Sequence, residues 1–303
     1  MKRLRSLLLA AVALAATAAQ AQQLQIAFTV DDLPSHGDLP PGVTRQQVAQ
    51  SFLDTFKREH LPPVYGFVNG VRKEQGPSAL PVLQLWHNAG EPLGNHTWAH
   101  TSINDQTPEQ FQADVDKNDA FLKQVDPTGD IKWLRFPFLD EGDTVEKRRA
   151  VRAGLQQRGY RIAEVSMDFE DYAWNNPYAR CAAKNDTVAV QWLHDSYLQV
   201  ADQYIDTFRH LSQDLFHRDV PYVLLMHIGA FDAKMLPELI ALYRKRGFTF
   251  VSMTQALADP GYAEDPDLGD KFGGSQLELL AEARHLKIKA PAKPYKRLDE
   301  LCR

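Results

Sequence analysis

The sequence predicts a single distorted (β/α) barrel with about seven parallel strands, and three observations carry that expectation. Short β-branched and aromatic runs alternate with helical stretches from residue 24 to about 257, the pattern of repeated βαβ units. No Pro/Gly/Ser-rich linker interrupts the alternation, so one unit fits better than two. Unusual polar residues fall at the ends of five strands, and in a parallel barrel those ends share the face where active sites form. An open doubly wound sheet is the competing arrangement, but no Gly-rich phosphate loop follows the first strand.

Residues 24–30 (LQIAFTV) read as the first strand. Residues 44–59 have helical spacing behind a Thr44 N-cap. A short strand at 64–68, a helix at 78–88 and a third strand end at 92–95 come next. Thr107 caps a helix over 107–124, and Pro108 suits its first position. A strand at 131–136, a helix at 144–158 closed by Gly159 and a strand at 161–166 follow. Residues 186–217 form a long amphipathic helix and 222–226 a fully apolar strand. A helix at 233–246, stopped by Gly247, leads into a last strand at 248–251.

The two ends of the chain differ from this middle. Lys2, Arg3 and Arg5 precede an apolar run over residues 7–19 and the small-x-small triplet Ala19-Gln20-Ala21. Residues 1–21 therefore read as a secretory signal peptide, too short for a membrane span. Its removal would leave 303 − 21 = 282 residues and, with three positive charges gone, move the formal net charge from −5 to −8. The expectation is an exported protein, periplasmic or secreted, with no stable membrane insertion after cleavage. A composition of 44% hydrophobic and 24% charged residues excludes a disordered or collagen-like chain. The mildly acidic balance argues against a nucleic-acid partner. Residues 22–257 would be the barrel and 258–303 a C-terminal extension. That extension holds seven Lys/Arg against two acids from Arg284 onward, and reads as solvated or loosely packed. Cys181 and Cys302 are either bridged, which an oxidising compartment permits, or two unpaired thiols. Nothing in the sequence fixes an oligomeric state.

The strand ends carry the chemistry. Asp31-Asp32 ends the first strand and Asn95-His96-Thr97-Trp98-Ala99-His100 follows the third. Arg135-Phe136-Pro137-Phe138 follows the fourth, Asp168-Phe169-Glu170-Asp171 the fifth and Leu225-Met226-His227 the sixth. His96 and His100, four residues apart, can reach one ion. With a carboxylate from a neighbouring strand they make a three-ligand set with open positions, as in catalytic zinc or non-haem iron(II) sites. Two adjacent carboxylates are costly to bury unless their work is divided, one ligating and the other acting as a base toward metal-activated water. Arg135 can pair with a carboxylate and fix its position. His227 is either a satisfied core histidine or, with a carboxylate such as Asp168 holding its tautomer, a general acid.

Thr29-Val30-Asp31-Asp32, His96-Thr97-Trp98-Ala99-His100, Arg135-Phe136-Pro137-Phe138, Asp168-Phe169-Glu170-Asp171 and Leu225-Met226-His227 resemble, in order and spacing, the five motifs of the polysaccharide deacetylase group (NodB homology, carbohydrate esterase family 4). The resemblance covers residues 24–257. It implies a distorted barrel of the NodB type, one divalent metal, usually zinc, and removal of acetyl groups from N- or O-acetylated carbohydrate. Position by position it implies Asp31 as base, oriented by Arg135, and Asp32, His96 and His100 as metal ligands. It further implies His227 as the acid held by Asp168, the Phe138 N–H as oxyanion donor, and Leu225 and Trp174 as walls of the acetyl pocket. The chain departs from the motifs at Val30, where Phe is usual, and at Phe138, where Tyr is common. Tyr172, not Trp174, directly follows Asp171. An amidohydrolase of the same family acting on a small non-sugar amide, or a non-catalytic carbohydrate-binding relative, are the alternatives. An iron(II) oxygenase would leave Asp31, Arg135 and His227 unexplained. Peptidoglycan, exported polysaccharide, chito-oligosaccharide and acetyl-xylan all stay open as substrates.

Overall fold

The computed structural model describes residues 23–71 and 79–303. The expected signal peptide lies outside the described residues, as does residue 78, where the second helix was expected to begin.

Among the described residues, seven parallel strands form one curled sheet. They are β1 (Leu24–Leu33), β2 (Tyr65–Val68), β3 (Leu93–Asn95), β4 (Trp133–Leu134), β5 (Arg161–Ile162), β6 (Tyr222–His227) and β7 (Phe248–Phe250). Their order is β5-β4-β3-β2-β1-β6, with β7 also paired to β1. Just past β5, Met167 bridges Leu224 in parallel, which brings the far edge round to β6 and gives the distorted barrel its curl. Strands β4 and β5 are shorter than expected. The Arg135 N–H still bonds the Asn95 carbonyl at 2.9 Å, but Pro137 then offers no donor to continue the ladder.

Around the sheet run α1 (Arg45–Arg58), α2 (Ala79–Asn88), α3 (Pro108–Val125), α4 (Val145–Gln157), α5 (Asn175–Ala183), α6 (Thr187–Phe216) and α7 (Ala230–Lys245). Thr44 and Thr107 cap α1 and α3 through reciprocal bonds with Gln47 and Gln110, the capping box that satisfies otherwise orphaned N–H groups. Helix α5 was not expected, because Asn175-Asn176-Pro177 reads as a turn. It forms because the Asn175 side chain is absorbed by the start of α7, accepting from the Phe231 N–H and donating to Asp232, while Pro177 sits early enough in the helix to lack an intrahelical acceptor anyway.

Alternation along β1 sorts the chemistry from the core. Ile26, Phe28 and Val30 face the helices and join a cluster with Phe52, Trp86 and Tyr243. Ala27 faces the barrel interior with Tyr65, Phe67, Trp133 and Val223. Side chains on a strand alternate faces, so Thr29 and Asp31 follow Ala27 inward. Truncating a buried aromatic such as Trp86 to Ala would cost about 3–5 kcal/mol.

The C-terminal extension is not loosely packed. After α8 (Met253–Ala256), which ends just before it, α9 (Gln276–Ala283) and α10 (Tyr295–Glu300) bring buried Leu277, Leu280, Ala281 and Leu298 onto the body of the protein. Cys302 is disulfide-bonded to Cys181 in α5, and the Arg180 guanidinium donates to the Leu298 and Leu301 carbonyls. The charge run misled because long basic side chains lay their stems on aromatic faces. Arg297 stands over Trp192 at 4.0 Å and Lys293 over Tyr204 at 4.4 Å. Among the described residues no helix is long and apolar enough to cross a membrane.

Candidate active site

The β1–β6 ladder sets Asp31 opposite His227 at the barrel mouth. Arg135 reaches both Asp31 oxygens from one nitrogen, at 3.0 and 3.2 Å. Its Nε donates to the Ala163 carbonyl at 2.7 Å, its other terminal nitrogen to Thr29 Oγ1 at 3.1 Å, and its plane lies over Phe67. The guanidinium is thus fixed on every side, and Asp31 with it. Burial pushes the Asp31 carboxyl up to about 6 despite the lowering effect of Arg135.

Asp32 points the other way. Its Oδ1 lies 3.3 Å from His100 Nε2 and 3.8 Å from His96 Nε2. The His96 Nδ1–H donates to the Arg135 carbonyl at 2.8 Å, which leaves the Nε2 lone pair facing both carboxylates, 3.6 Å from Asp31 Oδ2 and 3.8 Å from Asp32 Oδ1, the tautomer a metal ligand needs. Burial, with the neighbouring His100, holds the His96 imidazole well below its usual pKa and therefore neutral. The donor atoms of Asp32, His96 and His100 all lie within 4.8 Å of one another. One carboxylate oxygen and two imidazole nitrogens on three sides, with the pocket on the fourth, is a set that fits an open-site divalent metal.

Two site expectations are corrected. The carboxylate holding His227 is Asp171, whose Oδ1 accepts from His227 Nδ1 at 2.8 Å and whose Oδ2 accepts from the His227 backbone N–H at 2.7 Å. Asp168 instead accepts the Glu170 N–H at 2.7 Å, an Asx turn that commits it to its own loop. Glu170 then adopts a left-handed φ of 61°, which directs the next residue inward. Burial pushes His227 down, but Asp171 first, then Asp32 and Asp31, outweigh it and raise the imidazolium to about 10. Asp168 faces the pocket and is raised by burial to about 7. The second correction is Trp174. It is fully buried, with its N–H donated to Ser196 Oγ at 2.9 Å and its ring edge-on to Tyr197, so it packs the helical layer. The aromatic wall is Tyr172, 5.2 Å from the His227 ring.

Leu225 and Phe138 do line the cavity, which measures about 580 Å³. The Phe138 ring lies 4.6 Å from that of His100. Asp32, Thr97, His100, Phe138 and Glu170 all have φ between 54° and 67°, so the mouth loops turn through backbone conformations that L-residues rarely adopt. Sequence reasoning missed His36. Its Nδ1 lies 2.7 Å from Asp32 Oδ2 and its ring 4.8 Å from that of His227, and the four-residue spacing from Asp32 was the available signal. It also missed the contribution of Phe272, Glu278 and Lys293 from the extension to the cavity.

Fold and site together define a curled parallel barrel with a metal-competent Asp-His-His cluster at the C-terminal ends of its strands. The family model described as polysaccharide deacetylase matches residues 19–161, which bears out the recognition drawn from the motifs. No curated protein matches. The fold is similar to a family 4 carbohydrate esterase from Streptomyces lividans solved with acetate, at 16% identity and a TM-score of 0.51 over 78% of this chain and 96% of that one. It is similar to a chitin deacetylase from Colletotrichum lindemuthianum, at 19% identity and a TM-score of 0.54 over 79% and 91%. A family 4 pseudoenzyme from Bacillus anthracis also matches, at 13% identity and a TM-score of 0.54 over 78% and 66%.

Proposed function

We propose that this protein is a metal-dependent deacetylase that hydrolyses acetyl groups from N- or O-acetylated carbohydrate, and that it works outside the cytoplasm. The observation that carries the reading is the divided Asp pair: Asp31 is clamped by Arg135 on one side while Asp32 faces two imidazoles on the other. A carboxylate and an imidazolium on neighbouring strand ends, both lining one pocket, are the base and acid that amide hydrolysis needs.

A divalent cation held by Asp32, His96 and His100, zinc being the one expected, would supply Lewis-acid polarisation and lower the pKa of water. Asp31 takes the proton from the attacking water, its orientation fixed by Arg135. The Phe138 N–H is the expected donor to the developing oxyanion. His227, protonated through Asp171, gives its proton to the leaving amine, and Leu225 and Tyr172 wall the acetyl group. The Cys181–Cys302 disulfide is in keeping with export.

The test is acetate release from acetylated glycans by metal-reconstituted protein, with Asp31→Asn beside it. We expect turnover in the parent, none in the variant, and about one metal per chain in both by elemental analysis. Retained turnover in Asp31→Asn would remove the base, and full metal retention in both His96→Ala and His100→Ala would remove the ligand set.

A further inference from the structure

The C-terminal extension crosses the mouth of the pocket. Asp270, Phe272, Gly273, Glu278, Ile288 and Lys293 all line the cavity. The segment is bonded to the barrel on two sides. On one, the Asp270 N–H donates to the Gly142 carbonyl at 2.9 Å. There Gly273, at a φ of 67°, runs so close that an added Cβ would lie 2.1 Å from the Phe138 carbonyl oxygen. On the other side the Gln276 N–H donates to the Val165 carbonyl at 2.7 Å. Lys293, its side chain buried, pairs with Glu170 at 2.7 Å. The strap therefore joins the loop after β4 to the loop after β5, over the half of the mouth that an open barrel would leave free. Disulfide and Arg180 contacts anchor its far end.

We propose that the segment from Asp270 to Lys293 is a wall of the substrate pocket that confines the site to the terminal ring of an acetylated oligosaccharide and excludes the interior of a long polymer. This rests on the deacetylase reading above and narrows its substrate class. An interior residue needs a groove open at both ends, because the chain must leave on either side of the reacting ring. A cavity of about 580 Å³ with one side strapped is the size of a small-molecule site, room for one or two sugar rings. Three aromatic rings stand at its mouth: Phe272 is 89% exposed, Phe138 57% and Tyr172 41%. Single exposed aromatics mean little, but three around one opening offer flat apolar faces to the C–H side of a pyranose ring. Phe272 comes from the strap itself, so the segment both blocks one exit and supplies a stacking surface.

The experiment uses the full, metal-loaded chain and β-1,4-linked N-acetylglucosamine chains of graded length at constant total acetyl content. Acetate release is measured, and the position of each new free amine is read by mass spectrometry. We expect the rate to rise in proportion to the number of chain ends, roughly tenfold for a tenfold shortening, with free amines confined to a terminal ring. A rate per acetyl group independent of length, with amines in interior rings, would overturn the proposal. Binding of the trisaccharide is followed separately by calorimetry, in the parent and in Phe272→Ala. We expect the variant to bind roughly three- to tenfold more weakly, the range of an aromatic contact; unchanged binding would remove Phe272 from the wall. Trisaccharide binding that depends on Phe272, without acetate release from any length or from an O-acetylated oligosaccharide run beside them, would refute the deacetylase reading and leave the pocket assignment standing.

Discussion

Replacing Asp171 with Asn is the sharpest probe of the proposed acid. Asp171 gives one oxygen to His227 Nδ1 and the other to the His227 backbone N–H. Asn keeps the shape and can still accept from the backbone, but it removes the charge that favours the imidazolium. His227 is raised from 6.5 to about 10, with Asp171 the largest raising cause. If the whole of that shift were lost, only about 3% of His227 would be protonated at pH 8, a roughly thirtyfold loss on an N-acetyl substrate. Asp31 and Asp32 still raise the imidazolium while burial, the largest influence, lowers it, so thirtyfold is the order of magnitude expected. The sign is fixed: the acid is lost as pH rises through its pKa, so the ratio of variant to parent activity should approach unity below about pH 6 and fall above it. The assay is kcat/KM against pH for both proteins, beside Asp168→Asn, on an N-acetyl substrate and an activated acetyl ester whose leaving group needs no proton. Thermal unfolding guards against a folding defect. An unmoved basic limb in Asp171→Asn, an equal loss on ester and amide, or a greater loss in Asp168→Asn would refute the assignment.

Other outcomes follow from the same geometry. His36→Ala should weaken metal binding by about 10–100-fold, the usual effect of removing a partner that orients a ligand, measured by competition with a chelator. Cys302→Ser releases a cross-link over 121 residues and should lower stability by about 4–5 kcal/mol in the chain-entropy model, read as a lower denaturant midpoint in non-reducing buffer. Asp168, raised by burial from 3.8 to about 7, keeps its proton in the folded state across a window where the unfolded chain has released it. Its contribution to stability falls as pH rises through that window. Asp168→Asn should therefore raise the melting temperature more at pH 8 than at pH 4.5, and an equal shift at both would show that burial is not what raises Asp168.

The fold and the gathering of polar strand ends at one mouth were legible because both depend on short-range pattern. Period-two alternation along LQIAFTV aimed Asp31 inward, and the Thr44 and Thr107 caps marked helix starts within a residue or two. What failed depended on contacts distant in sequence or on loop backbone geometry. Asp168 and Asp171 are equivalent by composition; only the Asx turn and the left-handed Glu170 decide which one meets His227. Tyr172 and Trp174 lie in the one helical turn that follows, Asp171–Trp174, which exposes the first and buries the second. The extension was misread because its charges were averaged over residues whose apolar members, Leu277, Leu280 and Leu298, sit on one buried side. A Ser275–Glu278 capping box announced α9 in the sequence and went unread.

The left-handed turns around the mouth bear on how this molecule can change. Asp32, His100, Phe138 and Glu170 each hold a backbone conformation that Gly adopts freely and other residues at a cost of order 1–3 kcal/mol. Glycine at any of the four relieves local strain, yet it deletes a proposed metal ligand at Asp32 or His100, an aromatic face at Phe138, or the partner of Lys293 at Glu170. Selection of this chain for heat resistance alone should enrich glycine at these positions and return stable proteins with empty or widened sites. Selection that also demands acetate release should leave them untouched and draw its gains from the helices. Stability and turnover are thus traded residue by residue at the rim, and a laboratory evolution experiment scored on both would display that trade directly.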